Sequence, residues 1–210
     1  MTLEFLTGAL VTMLVIVEPI ALVPIFLAVT QGFSADQRRQ VAWRACVIAF
    51  AILASCAFVG DWLLSKVGIS LPAFRIAGGL LVFWIAFEMV FGLRANRKNE
   101  VARDAIDKEH IVNVAAFPMA IPLLAGPGAI TATLLLAGQA EGRPALMATL
   151  VAVLAVVILI SWICLQAAER VDRMLGTLGN VVVSRLLGII LAALAVQFVI
   201  DGIRAAIRAA

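Results

Sequence analysis

Charge is scarce in this sequence. Asp, Glu, Lys and Arg together make up 14% of the 210 residues, against about 25% in an ordinary soluble domain. Histidine occurs once, at His110 in a charged stretch, so the HExxH pair of a metalloprotease cannot be formed. The three cysteines, Cys46, Cys56 and Cys164, all fall inside apolar runs and make no CxxC pair, which leaves them packing roles and removes a redox or metal signature. No Walker loop is present, and this disfavours self-contained ATP hydrolysis. Ser161 and Ser184 have no evident base for nucleophilic chemistry. These gaps point away from an enzyme and imply no cofactor and no metal. The opening "MTLEFLTGAL" has no basic residue ahead of its apolar run, and that run is longer than a signal-peptide core. It is expected to stay in the protein as a span.

What fills the sequence is hydrocarbon. Hydrophobic residues make up 64%, and the mean hydropathy is +1.11. The excess comes in blocks, and about 20 apolar residues suffice to cross a bilayer as a helix. Six stretches qualify, at roughly 4–30, 41–65, 71–93, 113–137, 145–167 and 184–203, so the chain reads as an all-α polytopic membrane protein. Lys and Arg collect in cytoplasmic loops. The 31–44, 94–112 and 169–185 connections hold 11 of the 16 basic residues. Both termini are therefore expected on the periplasmic side, and the net charge of +3 reports topology, with no nucleic-acid partner implied. Trp43, Trp62 and Trp162 lie near span ends, where indoles settle at headgroup level, while Trp84 is mid-span and expected to pack between helices.

The sequence also repeats itself. "RIAGGLLVFWIAFEMVFGLR" from Arg75 and "RLLGIILAALAVQFVIDGIR" from Arg185 match at a constant offset of 110, pairing Arg75 with Arg185, Gly78 with Gly188, Gly92 with Gly202 and Arg94 with Arg204. "PIALVPIF" from Pro19 has the proline spacing of "PLLAGPGA" from Pro122. Residues 1–93 and 113–210 thus read as two three-helix repeats joined by a charged cytoplasmic linker, 94–112. An odd number of spans per half inverts the second half, giving a 3+3 inverted-topology repeat. Transporters built this way place their site near the midplane, between discontinuous helices.

Spans 1 and 4 are the ones broken by proline and glycine. Proline removes a backbone donor and frees carbonyls of the preceding turn; in hydrocarbon these must be satisfied by protein or by water in a cavity. "FPMAIPLLAGPGAITAT" is expected to break near Gly126-Pro127-Gly128, with a new helix starting there and Thr131 and Thr133 in its first turns. Its free N–H groups favour an anion or polar group. In "VIVEPIALVPIFL", Glu18 precedes Pro19 inside an apolar run, and Pro24 follows. A carboxylate there is a proton carrier or cation ligand, or else a structural cap of the broken helix or a partner of Arg75 or Arg185. The candidate pathway residues are Glu18, Pro19, Pro24, Pro122, Gly126, Pro127, Gly128 and Thr131, with Arg75, Glu88, Arg185 and Gln197 as accessory polar groups. Asn113 is a candidate cap, and Ser34 with Gln37 makes a capping box that starts the second span. Small residues recurring on helix faces, such as Gly188 and Ala192, suit contacts within one chain or in a homo-oligomer.

The stretches "EPIALVPIFLAVT", "FRIAGGLLVFWIAFEMVFG", "FPMAIPLLAGPGAIT" and "RLLGIILAALAVQFVIDGI" resemble the MarC family of bacterial integral inner-membrane proteins over essentially the whole chain. The resemblance implies six transmembrane helices, periplasmic termini and a likeness to LysE-type exporters; it brings no established biochemical activity. The family's Asn/Asp-Pro-x-Gly-x-x-Pro pattern falls on Glu18, Pro19, Ala21 and Pro24, with Glu18 in place of the shorter Asn or Asp and Ala21 in place of Gly. Pro118, Pro122, Gly126, Pro127 and Gly128 match the second motif without departure. The expected function is a secondary transporter or exporter that moves a small solute on an ion gradient. The alternative is a non-transporting membrane scaffold or assembly factor.

Overall fold

The computed structural model describes residues 2–94, 114–140 and 143–209. The linker beyond Arg94, with His110, and the cap expected at Asn113 lie outside the described residues. All regular elements among the described residues are helical: α1 (Thr2–Val17), α2 (Leu22–Val29), α3 (Ala35–Val67), α4 (Leu71–Phe91), a wide-turned segment (Ala115–Leu124), α5 (Pro127–Gln139), α6 (Pro144–Gln166) and α7 (Ala168–Ala209).

Local chemistry sets the boundaries. α3 begins with the capping box read from the sequence: Ser34 N donates to Gln37 Oε1 at 2.8 Å, and Gln37 N donates to Ser34 Oγ at 3.3 Å. The Ser70 side chain caps α4, whose end is marked by Gly92 at φ 76°. Pro127 and Pro144 open α5 and α6, where a missing N–H costs nothing because no intrahelical acceptor faces it.

Four helical stretches are long and apolar enough to cross a bilayer: Ala35–Gly60, Leu71–Phe91, Pro144–Gln166 and Val181–Arg208. Two bent pairs qualify jointly: Leu3–Val17 with Leu22–Val29, at 41°, and Ala115–Leu124 with Pro127–Gln139, at 55°. The outer surface is correspondingly greasy. Leu80, Leu81, Trp84, Phe87 and Phe91 of α4 and Leu186, Ile189 and Ile190 of α7 all point outward, as lipid-facing side chains do. Trp84 was expected to pack between helices. It is exposed instead, stacks on Phe87 at 5.8 Å, and donates its indole N–H to Glu88.

α1 packs against α5, α6 and α7, while α3 flanks α5, α6 and the wide-turned segment. Met13, Ile16, Leu53, Leu135, Leu150 and Leu154 fill the space between them. Lipid is as apolar as leucine, so close packing has to hold helices together here. α4 and α7 show how: they run antiparallel with their glycines at the contact. A Cβ on Gly79 would stand 3.0 Å from Ala195 O, one on Gly188 3.1 Å from Val90 N, and one on Gly202 3.0 Å from Pro72 O.

Candidate functional site

The first break centres on Glu18. Glu18 N still donates to Leu14 O at 3.0 Å, but Pro19 then has no donor and the ladder resumes only with Leu22 N to Glu18 O at 3.3 Å. The chain turns through Glu18 at φ 52°, a left-handed conformation that few non-glycine residues adopt. This leaves the Ile16 carbonyl without its helical donor. Arg94 takes it, with Nη2 donating to Ile16 O at 2.9 Å. The same guanidinium donates from Nε to Glu18 Oε2 at 2.8 Å, and Ser184 Oγ donates to Glu18 Oε1 at 2.7 Å. Glu18 is 4% exposed. One arginine therefore answers both the freed carbonyl and the buried acid, as a cation at a helix C-terminus should. Beside this joint, a space of about 40 Å³ lies between Glu18–Ala21 and the 183–187 part of α7.

The second break is made by Pro118 and Pro122. The residues before them, Phe117 (φ −136°, ψ 124°) and Ile121 (φ −123°, ψ 124°), are extended, because a following proline ring excludes the helical region. Ala125 N closes the segment onto Ala120 O at 2.8 Å, and Gly126 leads into α5. Gly126 must be a glycine: a Cβ there would run into the Pro122 carbonyl. The helix starts at Pro127 with no side-chain cap, so its first-turn N–H groups on Gly128 and Ala129 have no intrahelical acceptor.

Those groups border a cavity of about 220 Å³. Its wall is Gly126–Ala129, Pro122–Leu124, Ile16, Ile85, Glu88 and Arg94. Glu88 is 3% exposed and accepts from Trp84 Nε1 at 3.0 Å. The cavity thus joins a helix N-terminus, one guanidinium and one carboxylate inside an apolar frame. Such a set can hold a small polar solute by its acceptor and donor groups.

Of the residues singled out from sequence, Pro122, Gly126, Pro127, Gly128 and Glu88 line this cavity. Glu18 and Pro19 border the smaller space, one side chain away across Arg94. The others lie elsewhere. Pro24 is exposed in the first turn of α2. Thr131 packs against Gly78 of α4. Arg75 donates to Gly138 O at 3.2 Å, capping the far end of α5. Arg185 sits beside Gly92. Gln197 is exposed and donates to Asp201 on its own helix. Among the described residues Arg94 forms the ion pair with Glu18, while Arg75 is engaged at Gly138 and Arg185 lies beside Gly92.

Arg94 and Ser184 are not among the pathway or accessory residues read from the sequence. Ser184 carries no sequence signal, since a lone serine near a span end is common. Arg94 carried one: it stands in register with Arg204 at the end of the repeat, a place for a fixed residue more than for one of several linker charges.

Comparison with known proteins places the chain among integral membrane proteins. The model of the MarC family of integral membrane proteins matches residues 3–207. A UPF0056 membrane protein of Methanocaldococcus jannaschii is 35% identical over 208 residues, covering 99% of this chain and 100% of that protein. A UPF0056 membrane protein of Pyrococcus abyssi is 36% identical, covering 91% of this chain and 90% of its own. The UPF0056 inner membrane protein MarC of Salmonella typhimurium is 31% identical, with 92% and 91% covered. No solved structure matches significantly. With a family model spanning nearly its whole length and full-length relatives on every side, this chain belongs to the MarC family of integral membrane proteins.

Proposed function

We propose that this protein is a secondary transporter, in the exporter sense, for a small polar solute, and that it is not an enzyme. The observation that carries the reading is the 220 Å³ cavity at the second break, where the α5 N-terminus, Arg94 and Glu88 meet. Intramembrane charges are costly in lipid and accumulate on solute and ion paths. At about 220 Å³ the space is below the roughly 300–1,000 Å³ of drug-sized pockets, which suits a small metabolite. An acceptor group of the solute would face the free N–H groups of α5 and Arg94, and a donor would face Glu88. An ion gradient would supply the drive.

In this reading the bent pairs are spans 1 and 4, and the two halves form a 3+3 inverted repeat. Gly92 lies beside Arg185, and Gly202 lies beside Arg75. The offset of 110 exchanges one contact for the other, as a two-fold axis in the membrane plane would require. The chain would sit in a bacterial inner membrane with both termini periplasmic, as the distribution of basic residues argues.

A scaffold without transport is the second reading, and one feature favours it. The Glu18 joint is filled: both carboxylate oxygens are bonded, and only about 40 Å³ lies beside them.

Untargeted metabolite profiles of cells with the protein, without it and with Arg94→Gln test the choice. Transport predicts a solute that accumulates in the absence of the protein and is not cleared by the variant. Identical profiles in all three, with the variant present in the membrane at normal level, would remove the transport reading.

A further inference from the structure

A further concavity lies where α3 begins and α6 passes into α7. It is a groove of about 790 Å³ with two kinds of wall. One is apolar: Phe26, Leu27, Trp162, Ile163 and Leu165. The other carries four guanidinium groups, Arg38, Arg39, Arg170 and Arg173, against two carboxylates, Asp36 and Glu169. Glu169 is already shared, with Oε1 at 2.9 Å from Arg38 Nη1 and Oε2 at 3.9 Å from Arg173 Nη2. The groove therefore keeps two net positive charges, and among the described residues Arg39 and Arg170 make no ion pair.

Two N–H groups strengthen the case. Arg38 Nε and Trp162 Nε1 are buried without a hydrogen-bond partner among the described residues, and both side chains line this groove. Buried donors are normally satisfied. The level is also telling. The groove lies at the boundary of the apolar spans, which start at Ala35 and end at Gln166. It faces the side to which the basic loops assign the cytoplasm.

We infer that this groove is a binding site for the phosphodiester headgroup of an anionic phospholipid. The phosphate would meet the arginines and the two unpaired donors, and an acyl chain would run down the apolar wall. A phosphodiester supplies only acceptors and a negative charge, which complements four guanidiniums and an indole N–H. A free anion uses the basic wall alone and leaves the exposed Ile163 and the partly exposed Leu27 without a role; a lipid uses both walls. The inference rests on the membrane location and is independent of whether the protein transports a solute.

Thermal unfolding of the purified full-length protein in neutral detergent tests it. Phosphatidylglycerol, phosphatidylcholine and inorganic phosphate are added separately, to the native chain, to R39Q/R170Q and to R39K/R170K. Both arginines are exposed and make no ion pair among the described residues, so the substitutions should leave the fold intact; Arg170→Gln alone serves if the pair does not express. The expected result is stabilisation by phosphatidylglycerol alone, at about tenfold higher lipid concentration in the Gln pair and nearly unchanged in the Lys pair. Equal stabilisation by phosphatidylcholine would overturn the site. Equal stabilisation by inorganic phosphate would overturn the lipid assignment. An undiminished response in R39Q/R170Q would overturn the role of the arginines.

Discussion

Arg94 Nε lies 2.8 Å from Glu18 Oε2, and the pair joins the end of α4 to the break after α1. Arg94 is 15% exposed and Glu18 only 3% at the side chain, so neither charge has much water to fall back on. Removing one member of a buried pair strands the other, at a cost of about 3–5 kcal/mol. Replacing both by neutral groups of similar shape costs far less.

Glu18→Ala and Arg94→Ala should therefore each lower stability in detergent by about 3–5 kcal/mol. Glu18→Gln with Arg94→Gln should recover a large part of that loss. A double-mutant cycle read by denaturant or thermal unfolding measures the coupling. Strictly additive losses would mean that the two side chains do not act as a pair.

Gly126 is the tightest point of the second break. A Cβ there meets the Pro122 carbonyl, whereas at Gly8 nothing lies within 4 Å. Gly126→Ala should cost about 1–3 kcal/mol through forced backbone movement, and Gly8→Ala should be close to neutral. Melting curves of the two variants side by side give the comparison. Equal behaviour would show that the approach of Gly126 to Pro122 is not needed.

The α4–α7 contact depends on missing side chains. Gly79→Leu or Gly188→Leu should pry the two helices apart, lowering the melting temperature and the yield of folded protein. Gly32→Leu is a poor control because Gly32 sits at φ 84°, so Gly8→Leu serves. If the α4–α7 variants match that control, packing through these glycines is not what holds the pair.

Much of this architecture was legible because hydrocarbon and proline leave strong marks. The apolar blocks foretold an all-helical membrane protein, with four helices long enough to span and up to six if each bent pair counts as one, and Pro118, Pro122 and Pro127 lie in one of those bent pairs. Ser34 and Gln37 foretold the start of α3 for a local reason. The partner of Glu18 was not legible. The pairing of Glu18 with Arg94 spans 76 residues and depends on how α4 lies against α1, which no local pattern encodes. Trp84 misled because a mid-span indole reads as buried in any helix, while its exposure depends on which face of α4 meets α7. The left-handed turn at Glu18 also gives the shorter family residues a reason: Asn and Asp enter that conformation more readily. Here a longer acid occupies the turn, held by Arg94 and Ser184.

A transport site at the α5 N-terminus requires that its cavity be open to water within the bilayer. Cysteine accessibility measures this directly, in membranes from cells producing the chain with Cys46, Cys56 and Cys164 replaced by Ala. Ala129 borders the cavity, whereas Ala132, one turn on, is fully buried and does not. A small, charged, membrane-impermeant thiol reagent should modify Ala129→Cys and leave Ala132→Cys untouched. Modification of neither, with both variants folded, would mean a dry interior and would contradict a transport site there.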